Sequence, residues 1–225
     1  MKLIVKDTYE QMSKLAAMEL FYWLNQSRYQ RVNLAVTAGR TPKKMYELLP
    51  DLLKDLTFEN VHYYNFDEIP TRDGEHITMD ELNESFFIPC RIDPKQIEVF
   101  SEHNYEDYEK KIEADGGLDL ILMGLGLDGH FCGNLSGTVN SWNDGCRRVD
   151  RPVKGRADYY VTFGPRTVMA ARRIVMIVNG TQKAEILKKV LEGPICTEIP
   201  SSILRLHPDF TVIADREAAA LLSHQ

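Results

Sequence analysis

The chain has 225 residues, with 27 Lys and Arg against 33 Asp and Glu and a formal net charge of −6 at pH 7. That length suits one large α/β domain with a full core, and the acidic balance argues against a nucleic-acid partner, which needs a broad basic surface. No apolar run reaches the ~18 residues of a membrane span, so no membrane partner is expected. In chain order, Lys2 to Lys6 predicts a short strand, followed by an amphipathic helix whose Met12, Leu15, Ala16, Leu20, Trp23 and Leu24 share one stripe. Arg31 to Ala38 reads as a strand, Gly39 to Pro42 as a turn, and Pro42 onward as a helix carrying Met45, Leu48, Leu49 and Leu52, since proline suits the first helical turn. Asn60 to Phe66 forms the next strand, Thr78 to Phe87 and Tyr105 to Ala114 two helices, and Leu118 to Met123 a further strand. Ala157 to Phe163, Arg173 to Val178 and Phe210 to Ile213 predict the remaining strands, with helices near Arg166 to Ala171, Thr181 to Leu191 and Arg216 to Leu222. This alternation implies an α/β fold with a mostly parallel, doubly wound sheet covered on both faces, and residues 1–225 read as a single domain. Residues 134–156 are the exception: long, polar and glycine-spotted, they form a candidate lid.

Cys90, Cys132, Cys146 and Cys196 form no CxxC pair, and Met1 to Lys6 is too short an apolar stretch for an export signal, so reduced thiols in a cytoplasm are the expectation. The chemistry concentrates where strands end. Leu118 to Met123 empties into Gly124-Leu125-Gly126-Leu127-Asp128-Gly129-His130, where glycines let the backbone approach a ligand and deliver an aspartate and a histidine to the sheet edge. Histidine suits proton traffic near neutrality, and Asp128 stands two residues away to orient the His130 ring. Val61 to Phe66 ends likewise in Asp67-Glu68. Neighbours on an extended chain point opposite ways, so one carboxylate is expected to face substrate and the other to hold a loop or accept a backbone N–H.

Thr37-Ala38-Gly39-Arg40-Thr41-Pro42 lies between a strand and a helix, where free N–H groups and the helix dipole favour an anion; an ordinary tight turn fits the same residues. Gly164-Pro165-Arg166-Thr167 repeats the arrangement, and Asn179-Gly180-Thr181-Gln182-Lys183 sets a lysine in a first helical turn, where a bound anion would relieve its conflict with the dipole. Arg147, Arg148, Arg151, Lys154 and Arg156 pack five basic residues into the candidate lid, as a solvated face or a closing arm for phosphate. His62, His76, His103 and His224 read as surface or packing residues, with His207 set apart.

Taken together, the 37–42 turn, Asn65-Phe66-Asp67-Glu68, the 124–130 glycine loop and Glu192-Gly193-Pro194 through Pro200-Ser201-Ser202-Ile203-Leu204-Arg205-Leu206-His207 resemble the glucosamine-6-phosphate deaminase and 6-phosphogluconolactonase superfamily, over nearly the whole chain. The terminal stretch is closer to the deaminase branch. The resemblance implies a Rossmann-like three-layer αβα fold acting on a hexose or hexosamine 6-phosphate without metal or cofactor. Asp67 then corresponds to the base that moves a proton between sugar carbons, and His130, set by Asp128, to the group that assists ring opening. Gly39, Arg40, Thr41, Glu68 and Lys183 complete the substrate and phosphate site. Three positions depart from the deaminase pattern: Leu135 replaces a glutamate, Ile69 an aromatic residue and Arg40 a small polar one. The 130–159 stretch is shorter than the deaminase lid, whose arginine has no counterpart, and the chain ends at Gln225 without the usual tail. An amino-sugar phosphate deaminase or isomerase is the leading expectation, with a lactonase and a catalytically silent sugar-phosphate sensor as alternatives and a homo-oligomer left open. A metal hydrolase on Asp67, Glu68, Asp128 and His130 is chemically conceivable, but a single histidine argues against zinc.

Overall fold

In a computed structural model the described residues are 1–153 and 155–223; Lys154, His224 and Gln225 lie outside them. Chain order runs β1 (Lys2–Lys6), α1 (Tyr9–Gln26), β2 (Val32–Val36), α2 (Lys43–Leu53), β3 (Val61–Asn65), β4 (Asp67–Glu68), α3 (Ile77–Leu82), β5 (Ile97–Glu98) and α4 (Tyr108–Ala114). It continues through β6 (Leu120–Gly124), β7 (Arg147–Val149), β8 (Tyr160–Thr162), α5 (Pro165–Met169), β9 (Arg173–Val178), α6 (Ala184–Glu192), β10 (Phe210–Asp215) and α7 (Arg216–Ala219). Seven strands form one parallel sheet in the order β1-β10-β9-β6-β2-β3-β5. Strand side chains alternate between its faces. Along β6, Leu120 and Leu122 join Met12 and Ala16 of α1, Met45 of α2 and Phe86, while Ile121 and Met123 join Ile112 of α4, Val168 of α5 and Leu187 of α6. Two cores therefore sandwich one sheet, which is the three-layer α/β architecture the alternation implied.

Several local readings shift. The α2 stripe is Met45, Tyr46, Leu49 and Leu53, while Leu52 is exposed, because a 3.6-residue period rotates the fourth contact one place onward. The helix expected over 78–87 is α-helical only to Leu82 and continues as a wider π turn, Asn83–Phe87. Phe86 and Phe87 are both buried, Phe86 stacking on Tyr46 at 4.8 Å and Phe87 packing against Tyr63.

The Ala157 to Phe163 strand does not join the parallel sheet. Its ordered part, β8, sits antiparallel between β4 and β7 in a separate three-stranded sheet, pairing Thr162 with both Asp67 and Arg147. The expected lid thus contains a strand, β7, joined through β8 to β4, which carries Asp67.

Candidate active site

The strand order places a topological switch between β2 and β6: β3 and β5 follow on one side, β9 and β10 on the other. Loops leaving the carboxyl ends of such a pair diverge and open a crevice, the usual ligand site of open α/β sheets. Here a cavity of about 930 Å³ opens there, and four adjacent strands supply its walls. Gly39, Arg40 and Thr41 follow β2, Asp67 follows β3, Asp128 and His130 follow β6, and Lys183 follows β9. Asp67, Asp128 and His130 therefore share one cavity with Arg40 and Lys183.

Gly126 lets the imidazole in: a Cβ there would stand 2.1 Å from His130 Nδ1. His130 Nδ1 donates to Asp128 Oδ1 at 2.5 Å, which fixes the ring and leaves Nε2 as the atom available to a ligand. That hydrogen bond is the main reason the Asp128 carboxyl is held down at about 2. The loop is braced from below. Gly129, at φ +85, accepts the Ser201 N–H at 2.9 Å and abuts Ile199, so the Pro200–Leu206 helical turn supports the histidine without lining the cavity. His207, set apart in the sequence, is a core residue instead: Nε2 donates to the Ala171 carbonyl at 2.8 Å and Nδ1 accepts from Asp209 N at 3.1 Å.

Asp67 and Glu68 divide as the alternation requires. Glu68 is fully buried and does not line the cavity, which corrects its assignment as a substrate ligand. Its carboxylate accepts N–H groups from Ile69 and Thr78 at 2.8 Å and from Met79 at 3.0 Å, and so caps the open amino end of α3. Burial still pushes its pKa upward, against those three bonds. Asp67 faces the cavity, accepting a hydrogen bond from Thr78 Oγ1 at 3.2 Å. Burial first, then the neighbouring Glu68 charge, raises its carboxyl to about 7, while Thr78 and His130 oppose the rise. A carboxylate poised near neutrality is suited to taking and returning a proton.

On the opposite wall, the N–H groups of Gly39, Arg40 and Thr41 find no acceptor among the described residues. The turn is shaped by Tyr9 of α1, whose hydroxyl donates to the Thr41 carbonyl at 3.0 Å and accepts the Lys44 N–H at 3.1 Å. Lys183 ends the Thr181–Lys183 helical turn ahead of α6, and its ammonium donates to the Leu125 carbonyl. Burial and the nearby Arg40 lower its pKa, while Asp128 raises it. Two cationic side chains and three free amides make this wall a fit for a phosphate dianion.

The Gly164 turn is no second anion site. It follows antiparallel β8, so it does not open on the main sheet edge, and Arg166 pairs with Glu109 at 2.5 Å. Nor do the described lid arginines reach the cavity. Arg147 bonds Asn134, Arg148 covers the Tyr159 ring and pairs with Asp150, Arg151 bonds the Ser136 carbonyl and Arg156 pairs with Glu75. Among the described residues of 134–156 only Leu135 lines the site. Among the described residues no group of three or more His, Cys, Asp or Glu stands close enough to hold a metal ion, and no helix is long and apolar enough to cross a membrane. Tyr9, Ile77, Thr78, Glu81 and Cys132 line the cavity without having been singled out in the sequence for it.

The family model for glucosamine-6-phosphate isomerases/6-phosphogluconolactonase matches residues 7–212. The chain belongs to that family. A glucosamine-6-phosphate deaminase from Clostridium perfringens (strain 13 / Type A) is 31% identical, the match covering 99% of this chain and all of that one. The corresponding deaminase of Thermoanaerobacter pseudethanolicus is 28% identical over 99% of this chain and 95% of its own. Among solved structures, a monomeric glucosamine-6-phosphate deaminase superposes with a TM-score of 0.86 at 28% identity, covering 98% of this chain and 100% of that one. The 6-phosphogluconolactonase of Trypanosoma cruzi reaches 0.79 at 21% identity, over 99% and 97%, and shares the fold. The resemblance drawn from the motifs is borne out, and the glucosamine-6-phosphate isomerase/6-phosphogluconolactonase family accounts for the Rossmann-like layering.

Proposed function

We propose that the chain is a cytoplasmic amino-sugar 6-phosphate deaminase of the glucosamine-6-phosphate type. The observation that carries this reading is the gathering of Asp67, the Asp128–His130 pair and the Arg40–Lys183 wall around one cavity of about 930 Å³. Phosphate would rest on the free amides of 39–41 with Arg40 and Lys183, which places the reactive end of the sugar toward Asp67 and His130. His130 Nε2 would exchange a proton with the ring oxygen as the pyranose opens, with Asp128 stabilising the transient imidazolium. Asp67 would then take the C2 proton, pass through an enol-type intermediate and return the proton to C1. That transfer leaves an imine at C2; water adds there, ammonia departs and a ketose 6-phosphate remains. No step requires a metal ion.

Leu135 favours a second reading. It places an apolar side chain on the cavity wall where deaminases carry a glutamate, and a lactonase would need only His130 to activate water against the ester carbonyl. The test is a paired assay. Ammonia release from glucosamine 6-phosphate with solvent exchange at C2 supports the deaminase, whereas acid release from 6-phosphogluconolactone in a pH-stat without deamination reverses the ranking.

A further inference from the structure

Ile77, Thr78 and Glu81 occupy one face of α3, five residues from first to last, and all three line the cavity. The face cannot swing away, because Glu68 holds the first turn of α3 through the Thr78 and Met79 amides and Thr78 is bonded to Asp67. Glu81 therefore stands about one helical turn beyond the Asp67 hydroxyl contact, at the mouth of the site. Its carboxylate has no hydrogen bond or ion pair with any described residue. Arg40 and Lys183 hold the opposite wall. The cavity thus holds its cations, Arg40 and Lys183, on the loops after β2 and β9, with the Asp128 carboxylate beside Lys183 committed to His130, and its remaining carboxylates, Asp67 and Glu81, on β4 and α3. That division matches a molecule carrying a dianion at one end and an ammonium at the other.

We propose that Glu81 is a specificity-determining residue, the carboxylate against which the C2 ammonium of an amino-sugar phosphate docks beside Asp67. The inference rests on the deaminase reading above and names how that site tells an amino sugar from a neutral one. A lactone or a plain hexose phosphate carries no cation and gains nothing from this wall, while an ammonium held between Asp67 and Glu81 gains a charge-assisted contact. Glu81 is exposed, so water screens the attraction and the effect is modest. It also acts on the base. The groups facing Asp67 are Glu68 from its own strand, Thr78 and Glu81 from α3, His130 from the loop after β6, Cys132 below it and Tyr160 from β8. Glu81 is the exposed like charge in that set, and it adds to the upward shift that burial and Glu68 impose.

The experiment compares wild type with Glu81→Gln and Glu81→Asp, measuring by calorimetry the binding of glucosamine 6-phosphate and of glucose 6-phosphate, and the pH profile of kcat/KM. Glu81→Gln is expected to weaken the amino sugar by about 3–5-fold, the upper range of an exposed ion pair, and to leave glucose 6-phosphate unchanged within about 1.5-fold. Its acid limb moves to lower pH, and Glu81→Asp restores most of the preference. Equal weakening of both ligands, or an unchanged preference for the amino sugar, overturns the proposal. The binding arm needs no turnover. A wild type that prefers the amino sugar but releases no ammonia refutes the deaminase reading and leaves Glu81 supported, while a wild type with no preference overturns Glu81 whatever it turns over.

Discussion

Replacing Asp67 with asparagine separates what this carboxylate does for catalysis from what it costs the fold. Asp67 sits in a partly buried site next to buried Glu68, and its carboxyl is raised to about 7. The sign follows from linkage: a carboxyl with a folded pKa above its unfolded value binds more protons when folded, so stability is lost as pH rises. Below pH ~4 Asp67 is neutral in both states and costs nothing; the penalty grows between pH ~4 and ~7 and is complete above. A rise of roughly three units corresponds to ~4 kcal/mol, and partial solvent access reduces that to about 2–3 kcal/mol. Asparagine keeps an oxygen for the Thr78 hydroxyl and carries no charge. We predict that Asp67→Asn lowers kcat by ~10³-fold or more while raising the melting temperature at pH 8 by about 5–10 °C, with the gain vanishing at pH 4. Thermal denaturation of both proteins across pH 4–8 reads this directly. A variant less stable than wild type at pH 8, or a difference that does not change with pH, would refute the argument that burial and Glu68 set the state of Asp67.

Three further outcomes are expected. Gly126→Ala should drive a methyl group into the His130 ring and break its bond to Asp128; kcat falls by ~100-fold while circular dichroism stays native, and a fully active variant would show that the ring seat does not matter. Lys183→Ala should raise KM for a sugar phosphate by ~10-fold or more with a smaller effect on kcat, and inorganic phosphate should weaken as an inhibitor in parallel; an unchanged KM removes Lys183 from the anion site. Glu68→Gln turns one acceptor toward the α3 amides into a donor; urea denaturation should show a loss of about 1–3 kcal/mol, and no loss would mean the cap is dispensable.

What the sequence disclosed was whatever local pattern determines. A strand that ends in glycines and acids marks the sheet edge, so Asp67, Asp128, His130 and the 37–42 turn could be found from residues alone, and Lys183 from its conflict with a helix dipole. Glu68 was separated from Asp67 by alternation in principle, yet its role as an α3 cap depends on a helix ten residues away. Thr78 and Glu81 were hidden because the cavity-facing side of a six-residue helix is set by packing rather than by its own pattern. Tyr9 was hidden for a related reason: it reaches the 37–42 turn from 32 residues upstream. The direction of β8 had no local signal, since a buried three-residue strand reads the same in parallel and antiparallel pairing.

The placement of β8 explains more than a misread strand. Asp67 belongs to β4, which leaves the main sheet after β3 and pairs with β8 at Thr162, and β8 in turn pairs with Arg147 of β7. Thr162 also accepts the Gly133 N–H at 2.8 Å, so the short sheet grips the chain three residues beyond His130. Asp67 and the histidine loop are therefore anchored to the same strand, although they follow different strands of the parallel sheet. An added Cβ at Gly133 would meet the Thr162 Cβ at 2.8 Å and the Tyr160 ring at 2.6 Å, so neither neighbour leaves room for it to move inward. Substrate discrimination can then vary on the exposed face of α3 and at Leu135 while the separation of Asp67 and His130 stays fixed, because the groups that set that separation, the β4–β8 pairing and the Thr162 hydroxyl, are buried.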